Sequence, residues 1–487
     1  MRNWKKNLLA IGLGILLILL LELLLWIAKF HRPICDFDPY VSFKEQIPVL
    51  ADTEYIGERW LRINPRLKAY FNPVAFRKDK TPETRRIFIL GESSTLGFPF
   101  GDQGSYSQFL KLGLDQLEPT HKYQVINLGA FGFASYRILR VFKEVLNYEP
   151  DLIVLMTGQN EFLEKREYGA GPKFIWLQEK LSRFRIYCLL KIIVLKFQPE
   201  RERKLLSADV KWEKMSTEKE TREKIIEHFR FNVQEMKRLG QKQKIPLLFL
   251  TAPSNLKDFP PYHSIHRKDL SAAELESWQK DLEQAKKLSA DKKCDKAIPV
   301  LERLIGLDRE YADSWYLIGQ CFYEQGKIKE AKFAFWNALE KDAWQVRALP
   351  EFNAIIRGAN QEKAMVLDLE KIFEDQSPGG IPGDNLFYDH CHPRLPAHAL
   401  IAREIIARLN QEKWLSLPEN WELVYDDTAR SYEDNLPSSF FAQAYYNLAV
   451  EIGVNMCLKD LGKKYLQMGL EIAPEDAKLK KAAEILK

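Results

Sequence analysis

The chain has 487 residues, enough for two or three domains at roughly 100–200 residues each. A hydrophobic content of 46% and a charged content of 29% exclude a disordered or collagen-like chain. The net charge of +5 comes from 72 basic and 67 acidic residues that interleave without a separate Lys/Arg block, so no nucleic-acid partner is expected.

Residues 8–28 are a run of Leu, Ile, Ala, Gly and Trp broken by Glu22. A bilayer core needs about 20 apolar residues in a helix, so residues 1–30 are predicted to hold one transmembrane helix. Arg2, Lys5 and Lys6 precede the run, and the cytoplasmic side prefers such charges. Lys29 and Arg32 follow it and weaken that signal without reversing it. No small-residue cleavage site ends the run, so it is read as an uncleaved membrane anchor, with the rest of the chain on the extracytoplasmic (periplasmic) side. Glu22 is costly in lipid and is expected near the interface, or else facing a partner helix. Residues 31–82 are read as a juxtamembrane segment.

Four Val/Ile/Leu/Phe-rich runs follow at 86–90, 124–128, 152–156 and 246–250, and a fifth at 364–367. Nearly uninterrupted apolar runs are the pattern of strands buried on both faces. Helix-like segments at 106–117 and 136–146 alternate with them, which predicts a parallel α/β sheet with covered faces. Active residues in such sheets gather at the carboxyl ends of the strands. Residues 174–197 mix apolar and basic side chains and are read as a lid, a membrane-surface helix or a buried helix.

Between the fourth and fifth runs the texture is uninterrupted helix. Trp315, Gly319, Phe322, Ala331, Phe335 and Ala338 follow the spacing of a roughly 34-residue helix–turn–helix repeat. Ala297 and Leu301 begin a weaker copy, and Tyr446, Leu466 and Pro474 mark another. These segments, 272–358 and 440–487, resemble tetratricopeptide repeats. They are expected to cap the fold or to offer a protein partner a groove. The six cysteines are scattered without a CxxC pair, which argues against a disulfide scaffold and leaves most of them as packing thiols.

Four turns carry the chemistry: Gly91-Glu92-Ser93-Ser94, Asn127 to Gly132, Gly158-Gln159-Asn160-Glu161 and Asp389-His390-Cys391-His392-Pro393. A serine hydroxyl is a poor nucleophile without an adjacent base. Ser93, exposed by a strand-to-helix turn, is the nucleophile candidate, with Ser94 as the alternative. His392 is the base and Asp389 its orienting partner. The backbone N–H groups of Ser93 and Gly132 and the side-chain amide of Asn160 are the oxyanion donors. With His392 as base, activity falls on acidification as the imidazole takes up a proton. Asp389, His390, Cys391 and His392 could also suggest a metal site, but no second His/Cys cluster is visible, so neither metal nor cofactor is expected.

These turns, in this order, resemble the SGNH hydrolase superfamily, the GDSL-type esterases and lipases, over roughly 83–270 and 361–410. The resemblance implies a flavodoxin-like three-layer α/β/α sandwich, with Ser93, Asp389 and His392 as triad and Gly132 and Asn160 completing the oxyanion hole. The family's Gly-Asp-Ser is Gly-Glu-Ser here, and its Gly-x-Asn-Asp is Gly-Gln-Asn-Glu. The domain organisation expected is therefore a hydrolase domain in two parts, 83–270 and 361–412, separated by a helical insertion at 271–360. A linker at 413–439 leads to C-terminal helices at 440–487. The expected function is a membrane-anchored serine esterase acting on an acylated envelope glycan or lipid, by hydrolysis or by transfer of the acyl group. The alternative is a catalytically idle repeat scaffold.

Overall fold

The structure, a computed structural model, describes residues 2–28, 48–163, 181, 184–187, 189–190, 219–362 and 364–486. It divides into two compact units, Met1–Pro48 with Glu164–Lys224, and Val49–Leu163 with Ile225–Lys487.

In the first unit, α1 spans Arg2–Ile27. Leu17, Leu24 and Trp26 on it are exposed. Over the described residues, no helix is long and apolar enough to cross a membrane. The Glu22 carboxylate accepts the backbone N–H groups of Arg185 (2.9 Å) and Ile186 (3.0 Å), and the Arg185 guanidinium lies 3.6 Å away. The one charge in the apolar run is thus met by protein donors, as a carboxylate held away from water requires. Most of the 174–197 segment, together with Cys35 and Cys188, lies outside the described residues.

The second unit opens with a three-stranded antiparallel sheet, β1 (Leu50–Tyr55), β2 (Glu58–Ile63) and β3 (Ala75–Arg77). The juxtamembrane reading held no hint of it, because its strands are short and largely exposed. The chain then builds β4 (Thr84–Gly91), α2 (Ser93–Leu96), α3 (Tyr106–Leu117), β5 (Lys122–Gly129), α4 (Ser135–Val145) and β6 (Leu152–Met156). Next come α5 (Lys219–Gln243), which belongs to this unit from Ile225 on, and β7 (Leu247–Leu250). Four helices follow, α6 (Ala272–Ala290), α7 (Cys294–Leu307), α8 (Ala312–Glu324) and α9 (Ile328–Lys341). After α10 (Pro350–Gly358) come β8 (Met365–Leu367), α11 (Leu369–Asp375) and α12 (Leu395–Gln411). The last helices are α13 (Trp421–Asp434), α14 (Ser438–Val450), α15 (Lys459–Ile472) and α16 (Ala477–Leu486).

Strands β4 to β8 form one parallel sheet in the order β5-β4-β6-β7-β8, the flavodoxin-like order. Ile87, Ile89, Val154, Leu248 and Leu250 face a core shared with Phe109 and Leu110 of α3 and Ile401 and Ile405 of α12. The opposite face, Phe88, Leu90, Ile153, Leu155 and Phe249, is equally buried, and α4 packs against β4 there. Burial on both faces explains why these strands read as continuous apolar runs. Each fully buried large side chain contributes about 1.5–3 kcal/mol.

Two parts of the chain depart from the sequence reading. Residues 413–439 hold α13, whose Trp421, Tyr425 and Ala429 share one buried stripe at i, i+4 and i+8, and Tyr425 Oη donates to the Ala399 carbonyl at 2.7 Å. That segment is packed helix rather than linker. Cys294 and Cys321 form a disulfide between α7 and α8, with Cα atoms 5.1 Å apart. Packing thiols were expected there, but the helix hairpin brings together two cysteines that lie far apart in sequence. The inserted helices are also fastened to the loop after β7. Asp342 accepts the N–H groups of Tyr262 (2.8 Å) and His263 (3.0 Å), and Arg347 donates to the carbonyls of Asn255 and Phe259.

Two glycines test this packing in opposite directions. A Cβ at Gly129 would sit 2.2 Å from the Leu96 backbone nitrogen, whereas one at Gly306, inside α7, meets nothing within 4 Å. Gly129→Ala should lower the thermal midpoint by several degrees. Gly306→Ala should stabilise by roughly 0.5–1 kcal/mol through helix propensity. Thermal melts of the two variants check both signs.

Candidate active site

The site forms where β4, β5 and β6 end together. Gly91 lies opposite Gly129 on one side and Met156 on the other, so the turns that follow the three strands leave the sheet at one edge. Glu92 is still extended (φ −98°, ψ −160°), and Ser93 then opens the single turn α2, which stops at Gly97 in the left-handed region (φ +93°). This sharp strand-to-helix turn presents the Ser93 side chain beyond the sheet.

The Asp389–His392 loop comes from the far end of the chain, between α11 and α12. Ser93 Oγ lies 2.8 Å from His392 Nε2, and His392 Nδ1 lies 2.6 Å from Asp389 Oδ2. The other Asp389 oxygen accepts the backbone N–H groups of Cys391 (3.0 Å) and His392 (2.9 Å). Burial alone would raise the Asp389 pKa. The neighbouring His392 and His390, with the N–H donors, outweigh it and hold the carboxyl well below the usual carboxylate range. Asp389 is therefore an ionised acceptor that orients the His392 ring. Ser94 faces elsewhere, its single O–H within reach of Gln159 Oε1 (2.9 Å) and the Cys391 carbonyl (3.1 Å).

Gly132 adopts φ +69°, a conformation that glycine reaches without steric penalty. No acceptor among the described residues takes the N–H of Ser93 or of Gly132. Asn160 Nδ2 donates to the Phe133 carbonyl at 3.0 Å, which fixes the amide plane and leaves its second N–H for another acceptor. Ser93, Asn160 and His392 are only 6%, 6% and 3% exposed, whereas Gly132 is partly exposed, with open space where a Cβ would point.

Two residues noted only as departures from the family motif turn out to hold the turns together. Glu92 accepts from Thr157 Oγ1 (2.6 Å) and from the N–H groups of Gly158 (2.7 Å) and Gln159 (3.0 Å). It thereby fastens the nucleophile turn to the Asn160 turn. Glu161 accepts from the N–H and Oγ of Ser135 (2.7 and 3.0 Å), which fastens the Asn160 turn to the chain after Gly132. Burial, reinforced by Glu161, pushes Glu92 up to about 8 against the pull of its three donors. The signal in the sequence was a carboxylate beside each motif residue, but only the structure assigns each its partner.

Asp389, His390, Cys391 and His392 place one potential ligand atom each within 4.8 Å of one another. Asp389 and His392 are already committed to one another and to Ser93. Burial, with the charges of His392 and Arg347, lowers His390 to about 4, and burial, with Asp389, raises the Cys391 thiol. Both are therefore neutral near pH 7. The chemistry this arrangement can perform is nucleophilic attack by Ser93 with proton transfer through His392.

No family model matches the chain, and no curated protein matches it. Among solved structures it is similar to an α/β hydrolase from the metagenome of Lake Arreo, Spain, at 13% identity, over 67% of this chain and 95% of that one, with a TM-score of 0.31. It is also similar to a GDSL-like lipase from Bacteroides thetaiotaomicron, at 13% identity over 70% and 93%, TM-score 0.30. A third is the lipase/acylhydrolase from Enterococcus faecalis, at 14% identity over 67% and 96%, TM-score 0.30. At TM-scores this low the likeness carries no argument, and the reading of the site rests on its geometry.

Glu92 supplies a stability test. A carboxyl whose folded pKa is raised contributes stability that is fully present below its ordinary range and is lost as pH rises through about 8. Glu92→Gln removes that slope and turns an amide N–H toward the Gln159 donor, at about 1–3 kcal/mol. The variant should melt below the parent near pH 5, with the gap narrowing toward pH 8. Thermal melts across that range check it, and a constant gap would contradict the assignment.

Proposed function

We propose that this chain is a serine esterase that works through an acyl-enzyme. The observation that carries the reading is the continuous relay from Ser93 Oγ to His392 Nε2 and from His392 Nδ1 to Asp389, at 2.8 and 2.6 Å. In the first step His392 takes the Ser93 proton as Ser93 Oγ bonds to the ester carbonyl carbon. The carbonyl oxygen becomes an oxyanion held by the N–H groups of Ser93 and Gly132 and by the Asn160 amide. His392 then gives its proton to the leaving alcohol. Water, activated by the same imidazole, releases the acid and restores Ser93. Asp389 stays ionised throughout and stabilises the imidazolium. Transfer differs only in that a hydroxyl acceptor, rather than water, attacks the acyl-enzyme.

The apolar run 8–28 supports a single membrane anchor, and the exposed leucines of α1 fit that role. The Cys294–Cys321 disulfide favours an oxidising, extracytoplasmic compartment, because cytosolic thiols are kept reduced. In that place the ester is carried by an envelope glycan or lipid. The inserted and C-terminal helices, with their tetratricopeptide-like spacing, act as braces for the site rather than as a docking groove. Arg347 and Asp342 hold the loop after β7, and Tyr465 Oη donates to the Tyr388 carbonyl, one residue before Asp389.

Ser93→Ala should lower p-nitrophenyl acetate hydrolysis at least about a thousandfold and abolish labelling by a fluorophosphonate. Asn160→Ala should lower kcat by about 10²–10³ while leaving labelling measurable. An idle scaffold predicts no labelling that depends on Ser93, so well-folded parent protein that resists the probe would overturn the reading.

A further inference from the structure

Beside the site stand two aromatic rings to which the mechanism assigns no role, Phe98 and, within the Asn127–Gly132 turn, Phe131. Phe98, shortly after Ser93, sets its ring 4.6 Å from the His392 imidazole, centroid to centroid. The same ring meets Phe131 edge-on at 5.7 Å. Phe131 immediately precedes Gly132, the source of an oxyanion donor. The ring pair thus bridges the turn after β4 and the turn after β5, touching the base at one end and flanking the oxyanion side at the other.

Both rings stand on tethered backbone. Phe98 N–H donates to the Ser93 carbonyl (3.1 Å) and Phe131 N–H to the Tyr70 carbonyl (2.8 Å). Behind Phe98, Asn447 Nδ2 donates to the Pro99 carbonyl at 2.8 Å, and Phe100 stacks on Phe440 with ring planes 9° apart. Phe98 and Phe100 both pack against the cluster formed by Leu448, Ile452 and Tyr465 of the C-terminal helices. The wall is therefore tethered through its backbone and braced by the helical cluster, with both rings themselves partly exposed.

We propose that Phe98 and Phe131 form an acyl-length gate: the site accepts an acetyl or similarly short acyl group on Ser93 and excludes long aliphatic chains. The proposal rests on the Ser93 esterase reading and deepens it by naming the acyl class. With the carbonyl oxygen toward the donors of Ser93 and Gly132, the ring pair, against His392 at one end and next to Gly132 at the other, would wall the acyl side. A pocket wall of this kind discriminates by roughly 10–200-fold per methylene. Short-chain selection also fits a nucleophile that is almost fully covered.

The test is kcat/KM for p-nitrophenyl acetate, butyrate and octanoate, with the parent chain, Phe98→Ala, Phe131→Ala and the volume-conserving Phe98→Leu. The parent should favour acetate over octanoate at least about a hundredfold. Each alanine variant should cut that ratio tenfold or more and raise octanoate turnover, with Phe98→Leu in between. The ratio is the readout, because Phe98 touches His392 and its loss lowers the acetate rate as well. A parent that cleaves octanoate as fast as acetate, or alanine variants with an unchanged ratio, would overturn the gate. Fluorophosphonate labelling of each protein separates the two claims. A labelled parent with a flat chain-length profile overturns the gate alone, whereas an unlabelled, inactive parent overturns the esterase reading beneath it.

Discussion

Everything chemical in this molecule depends on three parallel strands ending in register. Gly91 of β4 lies opposite Gly129 of β5 and Met156 of β6, so three turns leave the sheet at the same edge. Because β4 has one neighbour on each side, the connections diverge there and open the crevice that doubly wound sheets use for ligands. Small residues make the convergence tight. With no side chain at Gly129, the α2 turn can sit directly on β5, with the Leu96 nitrogen where a Cβ would otherwise be. A one-residue shift in either pairing would carry Ser93 away from the Gly132 and Asn160 turns and out of reach of His392.

Register alone does not lock three flexible turns, and two buried carboxylates supply the lock. Glu92 gathers three donors from the turn after β6, and Glu161 in that turn gathers two from Ser135. Their burial carries an electrostatic penalty, visible in the raised pKa of Glu92. The return is orientation, since each acceptor fixes backbone amides beside Asn160 or after Gly132. Asp389 is handled in the opposite way. It is just as buried, but its two histidine neighbours and two N–H donors stabilise the charge, so it stays an anion beside His392.

The helices outside the α/β core reach the same place from another direction. Tyr465 holds the Tyr388 carbonyl, Asn447 holds that of Pro99, and Tyr262 Oη donates to the Met456 carbonyl. The loop carrying His392 and the loop after Ser93 are thereby set against one helical cluster. A segment that reads as a terminal repeat is, in the folded chain, part of the frame of the site.

The sequence alone determined the strand runs, the parallel class and the order of the four turns, and it offered Ser93, His392 and Asp389 as candidates whose meeting across 299 residues only the fold produces. Those properties are local: apolar periodicity, glycine at turns and the residue types that proton transfer requires are written within a few residues of one another. Tertiary structure decided the rest. Glu92 and Glu161 were legible as carboxylates but not as clamps, because their partners lie in other turns. Trp421, Tyr425 and Ala429 form a helical stripe, yet its partners on α3 and α12 exist only once the sheet has folded. Cys294 meets Cys321, and Phe98 meets Phe131 and His392, through helix and strand packing that no spacing encodes. A contact between distant segments depends on register and crossing geometry summed over the whole core, and that sum is not written in any one stretch of the chain.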